Sequence, residues 1–196
     1  MRQLARSRRP PAAAILFALL LASCSGHRPP APPEPLPAVV LLPIADPPNR
    51  SAVRGIFMFY SWIADTRAAV PTQLDAALRS ALRARGISAP PPTGESLIGA
   101  PTLHQAIAAV LASDLPAPAL FIEIGKWEAE NADFPAFVDV ALDATLIDPG
   151  SGRILWTTHH EAGPVATRGA GSLAAAYQRA ADEVAAWRVG RWSPPG

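Results

Sequence analysis

Two aspartates and two histidines in one stretch of the chain, together with one cysteine, are the residues whose types could do chemistry. Asp139 and Asp143 fall on the same face of an alternating segment, four residues apart, which on an ideal strand is ~13–14 Å. A carboxylate pair working on one bond sits at roughly half that distance or a little more, so these two need a third group to act together. His159 and His160 are adjacent and, on a strand, point to opposite faces, so they do not chelate one metal without a bulge. A hydrolase built from Asp139, Asp143 and His159 or His160 would require these residues to converge in a cleft; the other reading is a solvated sheet face. The remaining histidines, His27 and His104, lie in a proline-rich segment and on a helix. No nucleophile elbow, P-loop, H-E-x-x-H or G-x-G-x-x-G pattern occurs. The expectation is a protein that is not an enzyme, with no cofactor, no metal and no small-molecule substrate.

The cysteine points elsewhere. Cys24 is the single cysteine in 196 residues, which excludes an intramolecular disulfide and any multi-cysteine zinc site. It follows four arginines (Arg2, Arg6, Arg8, Arg9), an apolar run from Ala12 to Ala22, and Ser23. Eleven apolar residues at helical rise reach ~16 Å, about half the hydrocarbon thickness, so the run is a signal peptide rather than a span. Without residues 1–23 the chain keeps 13 basic against 16 acidic side chains, a net charge of −3, and a nucleic-acid partner is not expected. Residues 24–37 hold six prolines between Ser25 and Pro37 and read as a stiff tether, reaching ~40 Å when extended.

The elements that would position everything else lie in residues 38–188, with 189–196 as a flexible tail. Ala38 to Ile44 is a short apolar, β-branched run and reads as a strand. Val70, Leu74, Ala77, Leu78, Ala81 and Leu82 form a helical stripe that stops at Gly86, with Arg79, Arg83 and Arg85 on its other side. Gly86 to Ala89 reads as a short strand before Pro90-Pro-Pro-Thr-Gly94. Thr102 caps a second helix with Gln105 as its box partner, ending near Ser113. Residues 118–127 and 137–147 are strands, the latter alternating Val138, Val140, Leu142, Ala144 and Leu146 against Asp139, Asp143 and Thr145. Asp148 to Gly152 is a hairpin loop, 153–160 the return strand, and Ser172 caps a last helix with a stripe from Leu173 to Trp187. Trp127, Trp156 and Trp187 are expected in the core. The fold class is therefore α/β: a two-layer fold with a mixed sheet of about five strands and about three helices packed mainly on one face, in the order β-α-β-α-β-β-β-α.

The segment 55–63 fits neither period. It places Phe57, Met58, Phe59, Tyr60 and Trp62 within six residues. A loop that carries so many aromatics is either buried by its own domain, covered by a partner or a second copy, or set at a membrane surface.

Leu21-Ala-Ser-Cys24 resembles the bacterial lipobox, in which lipid joins the cysteine thiol and cleavage leaves that cysteine first. The resemblance implies acylation of Cys24, palmitate among the chains, and stable membrane tethering; Ser25 in place of an aspartate implies release to the outer membrane, facing the periplasm. The strand Val39-Val-Leu-Leu-Pro43, the segment Pro118-Ala-Leu-Phe-Ile-Glu-Ile124 and the segment from Ala144 to Trp156, with Asp148-Pro-Gly-Ser-Gly152 at its centre, resemble a superfamily of small periplasmic lipoprotein domains. These include the curli-secretion lipoprotein, the activator lipoproteins of penicillin-binding proteins, the N-terminal domain of the Tol propeller protein and neisserial-type lipoproteins. Residues 55–63 depart from that pattern. The implied function is a lipid-anchored, non-catalytic accessory or assembly protein that binds another envelope component, the alternatives being a homo-oligomeric part of an envelope secretion or transport system and an envelope hydrolase.

Overall fold

A computed structural model describes residues 36–47, 51–57, 59–92, 97 and 102–190. Cys24, residues 1–35, Met58 and residues 191–196 lie outside them. Among the described residues the strands are β1 (Val40–Leu41), β2 (Ala119–Ala129), β3 (Phe137–Ile147) and β4 (Ile154–Ala166), and the helices α1 (Ser61–Ala68), α2 (Val70–Ala84), α3 (Leu103–Leu111) and α4 (Leu173–Gly190). They form a mixed α/β fold with one sheet in the order β1-β2-β3-β4, β1 parallel to β2 and the rest antiparallel.

Four strands replace the expected five. The segment 86–89 contributes one parallel bridge, Ala38 with Ser88. Pro37 precedes one partner and Pro90-Pro91-Pro92 follows the other, so the backbone donors needed to extend the ladder are missing. A helix, α1, stands where the sequence showed no period, and the observed order is β-α-α-α-β-β-β-α.

Local chemistry explains the ends of the elements. Thr102 Oγ1 accepts from the Gln105 N–H at 3.4 Å and donates to Gln105 Oε1 at 2.9 Å, and Ser172 Oγ accepts from the Ala175 N–H. α2 stops at Gly86, whose φ of +75° lies in the left-handed region. Asp148 closes the β3–β4 turn through its own carboxylate, which accepts from Ser151 N–H and Ser151 Oγ–H.

The main core lies on one sheet face, where Leu120, Ile122, Ile124 and Trp127 of β2 meet Leu74, Leu78 and Leu82 of α2 and Tyr177 and Val184 of α4. Both Ile124 and Trp127 point inward because the register shifts between Ile124 and Lys126. This β-bulge falls on Gly125, where a Cβ would lie 3.4 Å from the Ala141 carbonyl oxygen. A smaller core covers the other face near the start of β2, with Ala106 and Val110 of α3 against Val40, Leu42, Phe121 and Ile147. α3 thus packs opposite α2 and α4 and adds a third layer at one end of the sheet. Trp127 and Trp156 are buried as expected; Trp187 is 37% exposed and packs edge-on against His160 at 4.9 Å between ring centres.

Candidate functional site

The aromatic segment is where the first connection leaves the sheet. From β1 the chain climbs alongside β2: Ala45 exchanges backbone hydrogen bonds with Ile122 and Ile124, Val53 bridges Ala129, and the Arg54 N–H donates to the Ala129 carbonyl. Residues 38–47 and 51–54 therefore flank β2 at its two ends, and the loop that follows emerges beyond its far end. Phe57 is 69% exposed, Phe59 80%, Tyr60 58% and Trp62 46%, the last on the first turn of α1. Self-burial, one of the alternatives for this segment, does not occur for these four rings, although Ile63 next to them joins the main core. Met58 lies outside the described residues. Phe134, 72% exposed in the β2–β3 connection, emerges at the same end of the sheet.

Both ends of this loop are pinned. Before it, the Ala52 carbonyl accepts from the buried Tyr177 hydroxyl of α4 and from the Ala129 N–H. Burial pushes the Tyr177 phenol above its ordinary value, so it stays a protonated donor, and its ring meets Trp127 edge-on at 6.5 Å. Arg54 adds a 2.7 Å bond to Asp139 and lays its guanidinium 5.7 Å from the centre of the Phe137 ring. Lys126 reaches the same carboxylate at 3.0 Å. Burial alone would raise the Asp139 pKa, but the hydrogen bonds and charges of Lys126 and Arg54 outweigh it and hold the carboxyl below its ordinary value. Lys126 is held above its own, chiefly by its bond to Asp139. After the loop, Arg67 of α1 is 1% exposed and makes a bidentate pair with Asp46 at 2.5 and 2.6 Å, its Nε left without a partner. α1 buries two side chains, Ile63 and Arg67, so this pair carries much of its attachment.

Of the residues considered for hydrolysis, the structure brings together one pair, His159 and Asp143, and leaves Asp139 and His160 apart from it. His159 Nδ1 and Asp143 Oδ1 lie 2.5 Å apart on the open sheet face, both about half exposed or more. Asp139 is engaged by Arg54 and Lys126, and His160 lies on the opposite face against Trp187. Among the described residues no group of three or more metal-ligating side chains is placed to hold an ion, and no helix is long and apolar enough to cross a membrane. The arginines of α2 also differ from a simple solvated row: Arg79 is bound to Asp75, the Ala89 carbonyl and the Leu41 carbonyl, forming with Arg83 one wall of an open hollow of about 440 Å³.

Sequence reasoning singled out the exposed rings but missed what holds them. Each residue that does so lies far in the chain from its partner, Arg67 from Asp46 by 21 residues, Arg54 from Asp139 by 85 and Tyr177 from Ala52 by 125, and such pairings leave no local signal. Phe134, a lone aromatic between Asn131 and Pro135, is a signal that could have been read.

Comparison with protein-family models finds no match, and comparison with curated proteins finds none either. Among solved structures the chain is similar to protein XCC0632 from Xanthomonas campestris (16% identity, 82% of this chain and 86% of that one, TM-score 0.49). It is similar to PelC, crystallised as a dodecamer, from Paraburkholderia phytofirmans (15%, 81% and 93%, TM-score 0.48) and to lipoprotein GNA1162 from Neisseria meningitidis (15%, 66% and 85%, TM-score 0.42). At these identities and scores the comparisons identify neither a family nor an activity.

Proposed function

We propose that the protein is a lipid-anchored envelope protein, attached through acylated Cys24 to the outer membrane and facing the periplasm, that works without catalysis by binding another envelope component. The observation that carries this reading is the exposure of Phe57, Phe59, Tyr60 and Trp62 on a loop whose two ends are fastened to the fold. Exposed rings on a floppy loop would lose much of their contact energy in ordering; rings on a pinned loop present large apolar area at small entropic cost, which is what binding surfaces use. Anchoring is supported by the residues around Cys24, and the accessory role by a set of ionisable side chains that pair with one another rather than gather in a cleft.

The test is crosslinking in intact cells followed by mass spectrometry, with the wild-type chain beside a Phe57→Ala/Phe59→Ala/Trp62→Ala variant. Because these side chains are exposed, the variant is expected to unfold at nearly the wild-type temperature, each change shifting stability by roughly 0.5 kcal/mol or less. Its crosslinks through this surface are expected to disappear. Unchanged crosslinks in a folded variant would refute the assignment, and adducts formed only between copies of the chain would favour the homo-oligomeric alternative.

A further inference from the structure

We infer that the occupant of the aromatic surface is a second protein standing on the side of the domain away from the anchoring bilayer, with an apolar groove for the Phe57 and Phe59 rings and acceptors for the Tyr60 hydroxyl and the Trp62 indole N–H. The inference rests on the lipid-anchored reading above and adds where the partner must be and what it is not. The chain enters the domain at Ala38, beside Ser88 and close to Ala119, where β1 begins to pair with β2. It meets β2 again at Ala129, just before the aromatic loop. Ten residue steps of ~3.3 Å put the two ends ~33 Å apart. The tether attaches at the entry end and spans ~40 Å at full extension.

For these rings to enter the bilayer that holds Cys24, the tether would have to double back along nearly the whole domain, using most of its length and freedom. A second copy in the same leaflet presents its own loop in the same direction, away from the bilayer, so the two end surfaces do not face each other. A protein approaching from the far side meets neither obstacle. The pinning of Ala52 and Arg67 fixes the loop relative to the sheet, so the height of the surface above the bilayer is set by the tether.

The experiment uses the full-length, processed protein with a photoreactive amino acid in place of Phe59. Three tethers are compared: the natural one, one lacking residues 28–35, and one in which those eight residues are replaced by a different proline-rich octapeptide. The expected result is a heterologous protein adduct of one mass, reduced at least tenfold by the deletion, restored by the replacement, and lost on Trp62→Ala. In parallel, the protein is reconstituted in vesicles of phosphatidylethanolamine and phosphatidylglycerol carrying brominated acyl chains, where wild type and Trp62→Phe should show the same degree of quenching. Quenching that depends on Trp62 would make the bilayer the occupant, an adduct of twice the chain mass would make it a second copy, and an adduct indifferent to tether length would remove the stated position; each overturns the inference. Failure of the underlying reading shows separately, as a Cys24→Ser protein that still sediments with membranes.

Discussion

Arg67 is the residue on which the aromatic surface depends most, because it is a fully buried cation with one partner. A charge removed from water is tolerated when its counter-ion and hydrogen bonds are in place, and losing the counter-ion is more damaging than losing both charges. Asp46 keeps some contact with solvent and can be rehydrated, whereas Arg67 cannot. The two single substitutions should therefore be unequal. Asp46→Ala is expected to cost about 3–5 kcal/mol in urea unfolding, and Arg67→Met, which leaves a partly wet carboxylate, clearly less. Equal losses would mean that the pair contributes through packing alone. Asp139 is a second residue whose role can be read by titration. Its carboxyl is held below the ordinary 3.8, so its contribution is fully present above that value and fades as pH falls through the lower, folded-state pKa. Asp139→Asn should flatten the acid limb of the stability profile below about pH 4, while leaving the slope between pH 5 and 8 unchanged.

Among the elements, those with a local cause were legible and those with a tertiary cause were not. The caps at Thr102 and Ser172, the glycine stop after α2, the Asp148 turn and the alternation of β3 follow from chemistry within a few residues of sequence. α1 had no such mark: two of its eight residues are buried, one of them an arginine, so the apolar period that announces a helix is absent. The missing fifth strand, by contrast, was readable, since a strand flanked by three prolines lacks donors. The side of the sheet that α3 takes could not be read, because an amphipathic stripe says that a helix is buried and not against which face. The structure supplies that answer at Gly152, whose φ is +67° and where a Cβ would come 2.9 Å from Leu111 Cδ1 of α3. Gly152→Ala should then cost about 1–2 kcal/mol from the backbone alone, with more from displacement of α3. Hydrogen exchange would find the loss of protection concentrated in residues 103–111, and a loss spread evenly over the domain would argue against this close approach.

As a whole molecule, the domain has two unlike ends. One receives the tether, beside Ala38 and Ser88, and carries the β3–β4 turn with α3 packed against it. The other carries the aromatic loop and Phe134. Of the site itself, the four aromatic residues Phe57, Phe59, Tyr60 and Trp62 were visible in the sequence as a cluster without a period, while their exposure was not, since composition cannot tell a surface from a core. Whether a loop is buried depends on how the rest of the fold is arranged, and on the face of the main core α2 and α4 already occupy the sheet. The central claim, that the surface is open in the free protein and covered in the cell, is tested most directly by footprinting the same side chains in two settings. Carbene labelling of the purified domain and of intact cells should give strong modification of Phe57, Phe59 and Trp62 in the first and protection of all three in the second, with Ile154, exposed near the tether end, labelled in both. Protection already present in the purified protein, or equal labelling in both settings, would contradict the account.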